Sequence, residues 1–153
     1  MATLKAKVPP PVVALATALL MWLAAHLTPM LRFEIPARRM IAGVVLAIGL
    51  AIALSAVAWF RRARTTVNPL APETVSSLVT SGIYRVTRNP MYLGLLFALL
   101  AWAVLLANPI ALIFLPLFVL YMNRFQIGPE ETALEARFGS EFLSYKAGVR
   151  RWL

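Results

Sequence analysis

Two polar blocks hold the residues able to do chemistry. The first is Gly82-Ile83-Tyr84-Arg85-Val86-Thr87-Arg88-Asn89-Pro90-Met91-Tyr92-Leu93-Gly94. Asn89 can cap a helix and Pro90 can open it, which directs backbone N–H groups at a place where an anionic group could dock. The second block begins at Glu130-Glu131, two adjacent carboxylates, and runs through Tyr145 to Arg150-Arg151. Each block also has a plain structural reading. Tyr84 and Tyr92 suit an aromatic belt at a membrane surface, Arg85 and Arg88 suit anchoring to it, and Glu130-Glu131 suit the positive end of a helix. Other chemistries are excluded. The chain has no cysteine, hence no thiolate nucleophile, and its one histidine, His26, cannot build a zinc site based on several imidazoles.

The elements that must position these blocks are membrane spans. Of 153 residues, 61% are hydrophobic and only 14% charged, more apolar surface than a water-soluble domain of this size could cover. A helix crosses the bilayer core with roughly 20 apolar residues. Four runs qualify: Val12 to Leu31, Met40 to Phe60, Met91 to Ala107 and Pro109 to Ile127. Asn108-Pro109 divides the last two into a tight hairpin, because the residue before a proline avoids the helical region. In the second run Gly43, Ala47, Ala51 and Ser55 recur at every fourth position and predict the face on which a neighbouring helix packs closely. The expected fold is therefore all-α and integral to the membrane: four spans, the last two a hairpin, in one domain over residues 1–153. A loop at 61–90 and a helix at 129–147 lie outside the lipid.

The formal net charge of +9 orients this arrangement. With four crossings, only Arg32, Arg38 and Arg39 fall on one side, and the other Lys and Arg residues fall with both termini, which makes that side cytoplasmic. Residues 1–30 also suit a signal peptide, against which stand a long apolar run and no good A-x-A site after it. In the tail Gly128 can end the fourth span and Pro129 can open a new helix. There Glu131, Leu134, Phe138, Phe142 and Tyr145 share one stripe, with Gly139 allowing a bend. Nucleic acid is disfavoured as a partner, since the arginines are divided among span ends and form no basic face.

The blocks in order, G-x-Y-R-x-x-R-N-P-x-Y-x-G, a hairpin, then E-E-x-x-L-x-x-x-F-G-x-x-F-x-x-Y-x-x-x-V-x-R, closely resemble the isoprenylcysteine carboxyl methyltransferase and phospholipid methyltransferase superfamily of small integral-membrane methyltransferases. The resemblance covers about residues 64–152. Members most often carry histidine before the motif proline; asparagine, present here as Asn89, is a frequent variant in bacterial relatives. The resemblance implies S-adenosylmethionine as cofactor, bound by Arg88, Asn89, Pro90, Tyr92, Gly94, Glu130 and Glu131. It implies catalytic roles for Glu131 and Arg150, substrate contacts from Tyr145 and Arg151, and no metal. Gly94 would let a ligand approach the backbone, and Glu131 would take a proton from an amine acceptor. Arg150 and Arg151 would hold an anionic acceptor or touch lipid phosphates. The implied reaction is methyl transfer to a lipid-like or prenylated acceptor at the cytoplasmic side of a bacterial inner membrane. A membrane sterol-reductase-like enzyme using NADPH and a non-catalytic scaffold of the same fold are the alternatives. The methyl acceptor and the oligomeric state are not encoded in any motif.

Overall fold

A computed structural model describes residues 8–63 and 77–153. Lys5, Lys7, Arg64 and the loop's Asn68-Pro69 and Ala71-Pro72 lie outside the described residues. Helices dominate: α1 (Pro10–Leu27), α2 (Arg38–Arg62), α3 (Pro90–Leu106), α4 (Pro109–Met122), α5 (Gly128–Phe138) and α6 (Ser140–Gly148). Among the described residues no strand forms. Three helices are long and apolar enough to cross a membrane: α1, α2 and the continuous stretch Pro109–Phe138 that joins α4 to α5. Helix α3, with 17 residues, is apolar but shorter. Leu15, Leu19, Met40, Leu54 and Leu120 on three of these helices are exposed. Leucines facing outward around a helix are what lipid, not water, stabilises.

Helix α3 lies between α2 on one side and α1 with α4 on the other. The α2–α3 contact corrects the expected packing face. Gly43 has nothing within 4 Å of where a Cβ would stand, and Ala47 and Ala51 are exposed. The buried positions are Ala42, Gly49 and Ala56. At about 100° per residue a step of four drifts by about 40°, so the Gly43 stripe winds off any one face, whereas a step of seven drifts by only about 20°. A Cβ on Gly49 would stand 2.5 Å from the Phe97 Cβ, and one on Gly94 would stand 2.8 Å from both the Ala53 Cβ and the Gly49 carbonyl oxygen. The two backbones touch because neither position has a side chain.

The first span ends at Leu27, short of Leu31, because Thr28 precedes Pro29; a single 3-10 turn, Pro29–Leu31, follows. The hairpin turn is pinned to this end of α1. Asn108, 1% exposed, accepts a hydrogen bond from the Ile110 N–H at 2.9 Å. Its Nδ2 donates to the Thr28 carbonyl and hydroxyl at 3.0 Å. Asn108→Ala removes a cap and the two hydrogen bonds that tie the turn to the half-buried Thr28, an expected loss of about 2 kcal/mol readable as a lower unfolding temperature in detergent.

At the other end, Gly128 does not end the fourth span. Its φ is −57°, and its N–H bonds to the Asn123 carbonyl across a π turn, Asn123–Ile127. Pro129 explains this: it cannot donate to the carbonyl four residues back and its ring crowds that group, and a widened turn before it relieves both without breaking the helix. The tail helix divides at Gly139, whose φ of +54° suits glycine, into α5 and α6.

Candidate active site

The polar ends of α3 and of the α4–α5 helix meet at one end of the bundle. Beyond Met122 the latter carries Asn123, Arg124, Gln126, Glu130 and Glu131, which places these residues past its apolar stretch. Leading into α3, residues 77–89 dock on the end of α2. Tyr84 packs edge-on to Phe60 with ring centroids 5.3 Å apart. A side chain at Gly82 would run into the Trp59 indole.

Glu131 is the centre of the site, with its side chain 10% exposed. Arg151 grips it with a fork, Nε to Oε1 at 3.0 Å and Nη2 to Oε2 at 2.7 Å. Lys146 approaches at 3.8 Å and also pairs with Glu135 at 3.6 Å. Arg88 Nη1 lies 3.0 Å from Glu131 Oε1, but its direction makes an ion pair and not a hydrogen bond. Among the described residues, both Nε and Nη1 of Arg88 are buried without a hydrogen-bond acceptor. A desolvated guanidinium with unused donors is costly by itself and suits an arriving anion. Glu130, one position earlier, accepts a hydrogen bond from the Tyr92 hydroxyl at 3.0 Å. Burial pushes the Glu130 carboxyl up to about 7, the Tyr92 hydrogen bond pulls the other way, and the neighbouring Glu131 charge adds to the rise. Burial also raises the phenols of Tyr84 and Tyr145 above their ordinary value.

The structure brings Arg88, Tyr92, Glu130, Glu131 and Arg151 together, and the other expected site residues serve otherwise. Asn89 does not cap α3; its amide is turned outward, with Nδ2 donating to the Arg151 carbonyl at 2.9 Å. Pro90 is buried as the first residue of α3. Gly94 faces α2, not a ligand, because its missing side chain is what lets the Gly49 backbone approach. The Tyr145 hydroxyl donates to the Tyr84 carbonyl at 2.7 Å, tying α6 to the loop. Arg150 has an exposed side chain, and its carbonyl accepts from the Arg88 N–H at 3.0 Å. Sequence reasoning missed Thr87, which is 0% exposed, donates to the Arg151 carbonyl at 3.3 Å and accepts from the Asn89 N–H at 3.2 Å. It also missed Trp152, whose Nε1 donates to Asn123 Oδ1 at 3.0 Å. A polar residue two before an Asn-Pro helix start was the available signal for Thr87.

The phospholipid methyltransferase family model matches residues 37–141, which take in α2, α3, α4, α5 and most of this cluster. The chain belongs to the phospholipid methyltransferase family. Relatives of this methyltransferase-family chain include an uncharacterised protein of Haemophilus influenzae, 52% identical over 63 residues, which are 41% of this chain and 100% of that protein. The human protein-S-isoprenylcysteine O-methyltransferase is 38% identical over 73 residues, 48% of this chain and 26% of the enzyme. Protein-S-isoprenylcysteine O-methyltransferase A of Arabidopsis thaliana is 29% identical over 106 residues, 69% of this chain and 54% of the enzyme. The match thus spans from about a quarter to about half the length of these two enzymes. No solved structure matches.

Proposed function

We propose that this chain is an S-adenosylmethionine-dependent methyltransferase acting on a lipid-like or prenylated acceptor. The observation that carries the reading is Arg88, buried beside Glu131 with two donors unmet among the described residues, one residue from an Asn-Pro helix start. Arg88 Nε and Nη1 fit the carboxylate of the cofactor's methionine moiety, and Glu130 fits its ammonium. Tyr92, whose hydroxyl holds Glu130, adds an aromatic ring next to that carboxylate. When bound, S-adenosylmethionine supplies a methyl group on an electrophilic sulfonium. The protein's part is to orient, to hold charge and to exclude water.

Glu131 anchors three cations and gives an oxygen to each arm of the Arg151 fork, so its part in the site is to hold these cations in place rather than to act as a base. That favours an acceptor ionised before it arrives, such as the carboxylate of a prenylated molecule. Arg150, whose exposure leaves its guanidinium free of the cluster, would meet such an anion or a lipid phosphate. All four helices α1–α4 cross the membrane in this reading, with the termini and the site on the cytoplasmic face of a bacterial inner membrane. The acceptor arrives sideways from the bilayer.

Membranes holding the protein, incubated with methyl-labelled S-adenosylmethionine and lipid extracts, are expected to yield a labelled apolar product, and no labelled product would contradict the reading. A pH profile tests the role of Glu130. With a folded value raised to about 7, Glu130 loses its charge as pH falls through that point. An α-amino group titrates near 7.7–8.0 and stays charged below it. Cofactor affinity is therefore expected to weaken by about tenfold from pH 7 to pH 5.5. In Glu130→Gln the affinity should be low and nearly flat over that range; an unchanged slope would remove Glu130 from the site.

A further inference from the structure

Glu131 has two arginines within reach and gives both of its oxygens to one of them. The Arg151 fork occupies Oε1 and Oε2, and Arg88 keeps Nε and Nη1 without an acceptor. If Arg151 were elsewhere, Arg88 could turn and take the carboxylate itself, since its Nη1 is already 3.0 Å away. Arg151 is carried by the chain after α6, with Val149 in an extended conformation. What holds this segment is a clamp on its carbonyls. Asn89 Nδ2 and Thr87 Oγ1 both donate to the Arg151 carbonyl, and the Arg88 N–H donates to the Arg150 carbonyl. Thr87 accepts in turn from the Asn89 N–H, so the clamp is closed on itself, and both side chains are buried.

We infer that Asn89 and Thr87 are positioning residues for anion recognition: by holding the Arg151 carbonyl they keep its fork on Glu131 and so keep Arg88 open for the anionic group of a ligand. Neither residue has to touch the ligand. The inference rests on the reading that the ligand carries a carboxylate. Asn89→Asp has the same shape but no donor and faces a carbonyl with a carboxylate. Asn89→His restores a ring N–H at the same distance along the side chain as the amide nitrogen.

The test titrates full-length protein in detergent with S-adenosylmethionine and with its decarboxylated form. The native protein is expected to prefer the carboxylate-bearing ligand by at least about tenfold. Asn89→Asp should shrink that ratio to about two- or threefold while affinity for the decarboxylated form stays unchanged, and Asn89→His should recover most of it. Equal weakening toward both ligands, or no change, overturns the inference. If the native protein binds neither ligand, the proposed cofactor fails and hydrogen exchange judges the clamp alone. In that case faster exchange at Arg88 and residues 149–153 in Asn89→Asp, with α3 unaltered, supports it, and unchanged exchange overturns it.

Discussion

Glu131→Ala is expected to be the most damaging single change at the site, lowering stability by about 3 kcal/mol and cofactor affinity by at least about tenfold. The reason is what it leaves behind. Arg88, with a side chain only 11% exposed, would be a buried cation without a counter-charge, and Arg151 would lose its bidentate partner. Glu135→Ala is the matched control. That side chain is 45% exposed and pairs with Lys146 at 3.6 Å, an exposed pair whose loss costs about 0.5 kcal/mol or less. Unfolding temperatures of the two variants in one detergent decide the matter. Equal, small effects would mean that Glu131 is solvated and does not hold the cations in place.

The second large effect belongs to the α2–α3 contact. Gly94→Ala places a methyl 2.8 Å from both the Ala53 Cβ and the Gly49 carbonyl oxygen, which forces the helices apart at an expected cost of about 3 kcal/mol. Since Tyr92 lies half a turn away on α3, ligand affinity should fall with stability. Adding Ala53→Gly is expected to rescue part of the loss, because it removes one of the two clashes and leaves the carbonyl. Gly43→Ala, where a Cβ meets nothing within 4 Å, should be neutral or slightly stabilising. The reverse ranking, Gly43 sensitive and Gly94 tolerant, would place the packing face on the wrong side of α2.

These two cases also mark what the sequence could disclose. The apolar runs are legible because a bilayer demands them, and the break at Asn108-Pro109 is legible because proline acts on its immediate neighbour. Glu131 on the inner stripe of the tail is legible from periodicity, and it is buried. Periodicity failed on α2 because a recurrence of four does not stay on one face, while Ala42, Gly49 and Ala56, seven apart, do. Local rules failed at Asn89 and Gly128 for another reason. The Asn89 amide is turned to donate its Nδ2 to a carbonyl from the far end of the chain instead of offering its Oδ1 to the helix N–H groups, and a π turn absorbed the strain of Pro129 that would otherwise have ended the helix. The grip of Arg151 on Glu131, twenty residues apart, follows from the clamp on the tail and has no signature in residue spacing.

The central claim is that the cluster around Arg88, Glu130 and Glu131 recognises S-adenosylmethionine. Calorimetric titration of one detergent-purified sample, first with S-adenosylmethionine and then with NADPH, tests it most directly. Saturable binding of S-adenosylmethionine at one site per chain, abolished in Arg88→Ala, with no heat from NADPH, is the expected result. Binding of NADPH with none of S-adenosylmethionine, or S-adenosylmethionine binding that survives Arg88→Ala and Glu130→Ala unchanged, would contradict it.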